Sequence, residues 1–194
     1  MEPVAGLVLT GGGSRRFGSP KADVRVDGER LADRTARVLA AIATPSVEVG
    51  PGYSHLDAVM EDPAGAGPLA ATVAGARALA ARGAGDRDVL VVAVDLPFLD
   101  PAFLRLLAAA APADAVVPRV EGRAQPLCAR YSTAALALAD TLVAAGERAM
   151  RALLDGLDVR WIDPHEWGAV TAAPCFADVD TLDDAHRWGL EGPG

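Results

Sequence analysis

Short, wholly apolar runs alternate along the chain with longer stretches in which apolar residues recur every three or four positions. Residues 4–9 (Val-Ala-Gly-Leu-Val-Leu) and 88–94 read as strands buried on both faces, the second being the clearer. Leu31, Thr35, Val38, Leu39 and Ile42 share one helical face, which predicts a helix over 31–43. A short strand over 46–49 ends at Gly50-Pro51-Gly52, and a strand edge over 59–62 runs into a Gly/Pro loop. A helix over 69–81 is closed by Gly83 and Gly85, and Pro101 suits the first turn of a helix over 102–111. Farther on, strands over 115–118 and 126–131 flank the polar turn Glu121-Gly122-Arg123. Helices over 133–145 and 149–154, strands over 159–162 and 176–179, and a closing helix over 181–188 complete the pattern. This βαβα order predicts an α/β fold. It is read as one Rossmann-like domain over 1–194, with a mostly parallel sheet carrying helices on both faces.

Composition narrows the function. With 194 residues that are 51% hydrophobic, the chain can bury a core, and disorder is excluded as a description of the whole. A formal charge of −8 argues against a duplex nucleic-acid partner, which would require a basic face to release counterions. It leaves room for a nucleotide, since a few local cations can hold a triphosphate. Cys128 and Cys175 are too few for a disulfide framework and are expected as two reduced, half-buried thiols. His55, His165 and His186 show no metal spacing and read as surface or helix residues. The N-terminus has no basic segment ahead of an apolar one, and the most apolar stretch, 89–94, is cut by Asp95. The expectation is a soluble cytoplasmic protein without membrane contact.

The most informative segment follows the first strand: Leu9-Thr10-Gly11-Gly12-Gly13-Ser14-Arg15-Arg16-Phe17-Gly18-Ser19-Pro20-Lys21. Consecutive glycines strip side chains from a loop at the carboxyl end of a buried strand, where α/β folds bind ligands. Bare N–H groups in such a loop can meet phosphate oxygens, and Arg15, Arg16 and Lys21 add positive charge. That combination suits a triphosphate whose pyrophosphate departs, because negative charge builds up there in the transition state. The spacing fits neither the Walker loop nor the dinucleotide fingerprint.

Leu-x-Gly-Gly-x-Ser-x-Arg-x-Gly-x-x-Lys, as it stands over 9–21, resembles the signature of the MobA-type nucleotidyltransferases, which attach a nucleoside monophosphate to a phosphorylated acceptor. The nearest branch is that of the molybdenum cofactor guanylyltransferases. Gly67-Pro68-Leu69-Ala70-Ala71, Asp95-Leu96-Pro97-Phe98-Leu99, Ala145-Gly146-Glu147-Arg148 and Phe176-Ala177-Asp178-Val179-Asp180-Thr181 are similar to further motifs of that family. The resemblance implies transfer of GMP from GTP to the phosphate of molybdopterin with release of pyrophosphate. Leu9, Thr10, Gly11, Gly12, Gly13, Ser14, Lys21, Asp62 and Asp95 would then bind GTP, and Arg16, Lys21 and Asp95 would carry the catalysis. Asp95 would hold Mg²⁺, with Mn²⁺ as a substitute, between itself and the phosphates. An acceptor already ionised as a phosphate monoester needs no general base.

Gly11-Gly12 and Gly67-Pro68-Leu69 resemble the guanylyl branch, whereas the family's asparagine after the second strand is missing from Val47-Glu48-Val49-Gly50-Pro51. Arg148 and Arg151, with Asp178 and Asp180, are the candidates for the acceptor. The two aspartates replace amides, so they can only accept hydrogen bonds. Four other readings stay open: cytidylyl transfer to the same cofactor, guanylyl transfer to a phospholactate, sugar-phosphate transfer, and a non-catalytic nucleotide or cofactor binder. The partners expected are GTP and molybdopterin, with transient contacts to other cofactor-synthesis proteins or acceptor enzymes.

Overall fold

Side-chain alternation decides which way each strand looks. In the computed structural model, which describes residues 2–11, 21–171, 175–176 and 187–190, β1 (Ala5–Leu9) is buried throughout. Leu7 and Leu9 enter one apolar cluster and Val8 the other, as a strand period of two requires. β1 is followed by a single 3₁₀ turn (Lys21–Asp23), a small hairpin of β2 (Arg25–Val26) and β3 (Glu29–Arg30), and α1 (Leu31–Ala40). Next come β4 (Ser46–Val49), β5 (Ala58–Val59), α2 (Pro68–Leu79), β6 (Val89–Ala93) and α3 (Pro101–Ala109). β7 (Ala115–Val120), β8 (Arg123–Ala124), β9 (Cys128–Tyr131), α4 (Thr133–Ala144), α5 (Met150–Leu154), β10 (Val159–Ile162) and α6 (Pro164–Trp167) follow.

The main sheet runs β10-β7-β9-β6-β1-β4-β5, with β8 attached to β7. α2, α4 and α5 pack on the face that carries Leu7, Val47 and Val91. α1 and α3 cover the opposite face, burying Leu39, Phe103, Leu104 and Leu107 against Val8, Leu90 and Val92. The sheet is mostly parallel, as the alternation implied, but β9 runs antiparallel to both neighbours. The cause is local. Glu121 and Gly122 both take positive φ (49° and 77°), a primed hairpin turn that sends the chain straight back instead of through a crossover.

Element ends differ from expectation where caps or turns intervene. α1 stops at Ala40 instead of 43, α2 gives way to a wider turn (Ala80–Ala84), and the predicted strand edge over 59–62 shrinks to Ala58–Val59. The strand expected over 126–131 begins at Cys128. α6, unforeseen, carries a capping box between Asp163 and Glu166. The strand over 176–179 and most of the helix over 181–188 lie outside the described residues. Among those described, no helix is long and apolar enough to cross a membrane.

Candidate active site

β6, β1, β4 and β5 are successive neighbours and all run the same way. Their carboxyl ends therefore form one row: Asp95 beyond β6, Thr10-Gly11 beyond β1, Gly50 beyond β4, and Glu61-Asp62 beyond β5. At about 4.8 Å per strand the row is roughly 14 Å long. The ladder continues past the strands, for Val94 N–H donates to the Leu9 carbonyl (3.1 Å), Thr10 N–H to Val49 (3.0 Å) and Gly50 N–H to Val59 (2.8 Å).

Asp95 is half-buried in the turn that closes β6. Arg34 of α1 braces that turn, its Nε donating to the Pro97 carbonyl at 2.9 Å. No sequence motif pointed to Arg34. Val94 shares an apolar cluster with Ala22, Val24, Val26, Leu31 and Leu190, with Phe98 packed against it. Through Ala22, that cluster anchors the chain next to Lys21 at the same end of the sheet as Asp95. Gly12, Gly13, Ser14, Arg15 and Arg16, and the Lys21 side chain, lie outside the described residues, as do Asp178, Asp180 and His186. Both cysteines are free and fully buried, where half-burial was expected. Burial pushes the Cys175 thiol up to about 11, and burial with the charges of Cys175 and Asp95 raises Cys128 as well. Neither is a nucleophile.

Of the candidate nucleotide-binding residues, Leu9 points into the core. Thr10 is buried, and its hydroxyl donates to Glu48 Oε1 at 2.6 Å. The Gly11 N–H shares the Val49 carbonyl with that of Thr10, at 3.3 Å. The N–H groups of Thr10 and Gly11 are thus already engaged within the fold. Among the described residues, a Cβ built on Gly11 would meet nothing nearer than Val49 O at 3.8 Å, so their packing does not demand glycine there. Packing does demand it at Gly50, where φ is +152° and a Cβ would lie 2.1 Å from Thr10 Oγ1 and 2.9 Å from Gly11 N.

Glu48 is the group that sequence reasoning missed. It is completely buried. Besides the Thr10 hydroxyl, Oε1 accepts the N–H groups of Gly52 (2.9 Å) and Tyr53 (2.8 Å). Oε2 accepts the N–H and the hydroxyl of Ser54, both at 2.7 Å. Burial alone would raise its pKa, but the donors from Thr10, Ser54 and Tyr53 outweigh it and hold the carboxyl below its ordinary value. The only sequence signal was a charged residue inside Val-Glu-Val.

Asp62 stands exposed at the rim, whereas its neighbour Glu61 is buried, with Oε1 accepting the Gly65 N–H at 2.8 Å. The Gly67-Pro68 motif opens α2, and the Glu147-Arg148 motif is folded against it, with Leu69 N–H donating to the Arg148 carbonyl at 3.4 Å. The exposed Arg148 guanidinium donates to the carbonyls of Val143 (3.1 Å) and Glu147 (2.7 Å) at the end of α4. Arg151 is exposed on α5, His55 lies at the surface 3.8 Å from Asp33, and His165 is exposed on α6. Among the described residues no three His, Cys, Asp or Glu side chains form a metal-holding group. The half-buried Asp95 carboxylate can supply one oxygen ligand to a cation that takes others from water and phosphate, as Mg²⁺ does.

The family described as the MobA-like NTP transferase domain matches residues 6–161. A protein of Opitutus terrae named a probable molybdenum cofactor guanylyltransferase is 40% identical over 162 residues, covering 79% of each chain. The crystal structure of molybdopterin-guanine dinucleotide biosynthesis protein A from Archaeoglobus fulgidus superimposes with a TM-score of 0.79 at 23% identity, covering 95% of this chain and 96% of that one. Rv0371C from Mycobacterium tuberculosis H37Rv, solved as a complex with manganese, gives 0.64 at 19% identity over 96% and 97% of the two chains.

Proposed function

Since the chain belongs to the MobA-like NTP transferase family, we propose that it transfers GMP from GTP to the phosphate of molybdopterin, with release of pyrophosphate. The observation that carries this reading is the row of strand ends, in which the half-buried Asp95 stands beside Thr10-Gly11, where the glycine-rich segment begins. The name of the Opitutus relative favours this base and this acceptor. Phosphates would lie across the glycine loop at the end of β1, with Lys21 and Arg16 offsetting the charge that develops on the departing pyrophosphate. The nucleoside would extend along the row toward β4 and β5. An ionised oxygen of the acceptor phosphate attacks the α-phosphorus in line, a new P–O–P linkage forms, and the bond to pyrophosphate breaks with its electron pair leaving on oxygen.

Asp95 is the residue that would hold a divalent cation, Mg²⁺ with Mn²⁺ as substitute, and such a cation would neutralise phosphate charge when bound. The manganese in the Rv0371C complex supports a divalent ion of this kind. Arg34 keeps the Asp95 turn in place. Arg148, Arg151, Asp178 and Asp180 remain the candidates for the acceptor. The chain would work as one catalytic domain, handing its product to other proteins of cofactor synthesis by transient contact.

The deciding experiment measures pyrophosphate release with molybdopterin as acceptor and GTP, CTP, ATP and UTP in turn. GTP is expected to exceed CTP by at least about two orders of magnitude, equivalent to about 2.7 kcal/mol. A CTP rate equal to the GTP rate refutes the guanylyl assignment, and nucleotide binding without pyrophosphate release refutes the transferase.

A further inference from the structure

Glu48 has no part in the chemistry above, yet it is a completely buried carboxylate taking five hydrogen bonds at the very end of the site. Burying a charge is costly, and apolar replacements of buried ionic groups are often as stable, so stability alone does not account for it. What the carboxylate does is geometric. The N–H groups of Gly52, Tyr53 and Ser54 all turn inward to it. The peptide bonds joining 51 to 54 are trans, for the cis bonds lie elsewhere, at Thr44-Pro45 and Asp62-Pro63. In a planar trans peptide the C=O points opposite to the N–H. The carbonyls of Pro51, Gly52 and Tyr53 are thus turned away from Glu48, and among the described residues none donates a hydrogen bond to them. Pro51 and Gly52 are exposed and Tyr53 is half-buried. The Thr10 hydroxyl ties the same carboxylate to the start of the glycine loop, fixing the distance between the two walls.

We propose that Glu48 is a positioning residue for base recognition: by gathering the N–H groups of 52–54 it presents backbone carbonyls at the end of β4 as acceptors for the N1–H and 2-amino group of guanine. The inference rests on the GTP reading above. Cytosine carries a different donor pattern and hypoxanthine lacks the 2-amino group, so both forfeit part of this array. The array also needs no side-chain amide beyond β4.

Equilibrium binding of GTP, ITP and CTP, each with Mg²⁺, to wild type and Glu48→Gln tests it without any acceptor. Wild type is expected to bind GTP at least tenfold tighter than ITP. A glutamine brings an NH₂ donor against N–H donors and must release part of the loop. Glu48→Gln should therefore weaken GTP at least tenfold, ITP by less because it has only its N1–H contact to lose, and CTP less than threefold, lowering the GTP/ITP ratio. In turnover the loss should fall mainly on KM. A clamp that is merely structural would weaken all three nucleotides equally, and that result, or unchanged GTP binding, overturns the proposal. If Glu48→Gln does not fold, Ser54→Ala removes one hydroxyl from Oε2 and leaves the backbone donors. It should lower the GTP/ITP ratio about threefold, and an unchanged ratio overturns the proposal. Wild type that binds GTP and ITP equally overturns this inference alone, whereas wild type that binds no nucleotide overturns the function itself.

Discussion

Gly50 and Gly11 face each other across the end of β1 and β4, and an added methyl should have opposite consequences at the two positions. In Gly50→Ala the new Cβ would lie 2.1 Å from Thr10 Oγ1 and 2.9 Å from Gly11 N, on a backbone with φ +152°. A side chain in that region of backbone space costs about 1–3 kcal/mol. Displacing the Thr10 hydroxyl also breaks its bond to the Glu48 carboxylate, and hydrogen bonds to charged groups are worth about 1.5–3 kcal/mol. The sum, about 2.5–6 kcal/mol, should lower Tm by on the order of 10 °C for a chain of this size. Among the described residues Gly11→Ala meets only ordinary contacts, Val49 O at 3.8 Å and Gly50 Cα at 3.9 Å, so its Tm should stay within about 2 °C of wild type. GTP affinity should nevertheless fall at least about tenfold if the nucleotide lies along the glycine loop as proposed, since the methyl would occupy space beside it (about 1.4 kcal/mol). Thermal melts and GTP titrations of both variants separate the effects. In a Thr10→Ala background the nearest clash is gone, so Gly50→Ala should cost less there, and the double-mutant cycle reports the difference. If Gly50→Ala melts within about 2 °C of wild type, the close packing of Gly50 on Thr10 is wrong. If Gly11→Ala binds GTP normally, the nucleotide does not approach Gly11.

Asp95→Ala should reduce pyrophosphate release more than a hundredfold at saturating Mg²⁺, and activity within about tenfold of wild type (about 1.4 kcal/mol) would remove Asp95 from the mechanism. Lys21→Ala should lower kcat as well as raise KM, because a point charge on the leaving pyrophosphate acts most strongly in the transition state; a change in KM alone would make Lys21 a binding residue only. Glu48 has its carboxyl held below the ordinary value in the folded protein, so its contribution to stability is present above the unfolded value of about 4.3 and is lost as pH falls through the folded one. Chemical denaturation between pH 7 and 3 should accordingly show a shallower acid loss in Glu48→Gln than in wild type, and identical slopes would contradict the depressed value.

What the sequence could convey depended on how each residue's surroundings are encoded. β1 and β6 were legible because a strand buried on both faces needs an unbroken apolar run, and such a run is visible without knowing its neighbours. The reversal of β9 was not, since four residues carry no mark of direction; the two positive φ values at Glu121-Gly122 decide it. The β2–β3 hairpin has only Arg-Val and Glu-Arg around its Asp27-Gly28 turn, too short and polar for periodicity to register. The acids of the site divide in the same way. Asp95 stood out because a carboxylate ending a wholly apolar strand at its carboxyl edge is in ligand position whatever the rest of the fold. Asp62 and Glu48 could not be ranked from sequence. An acid beyond a strand and an acid alternating with valines both resemble solvent-facing residues, and only Asp62 was matched to an acid of the family it resembles. In the fold, Asp62 is the exposed one, and Glu48 is sealed by a loop that its own carboxylate organises. Burial of a polar group is made by contacts distant in the chain, here Thr10 at 38 residues' separation, and no local pattern records them. For that reason Asp95 can be read along its strand, while the surroundings of Glu48 become readable only once β1, β4 and the loop over 50–54 are placed together.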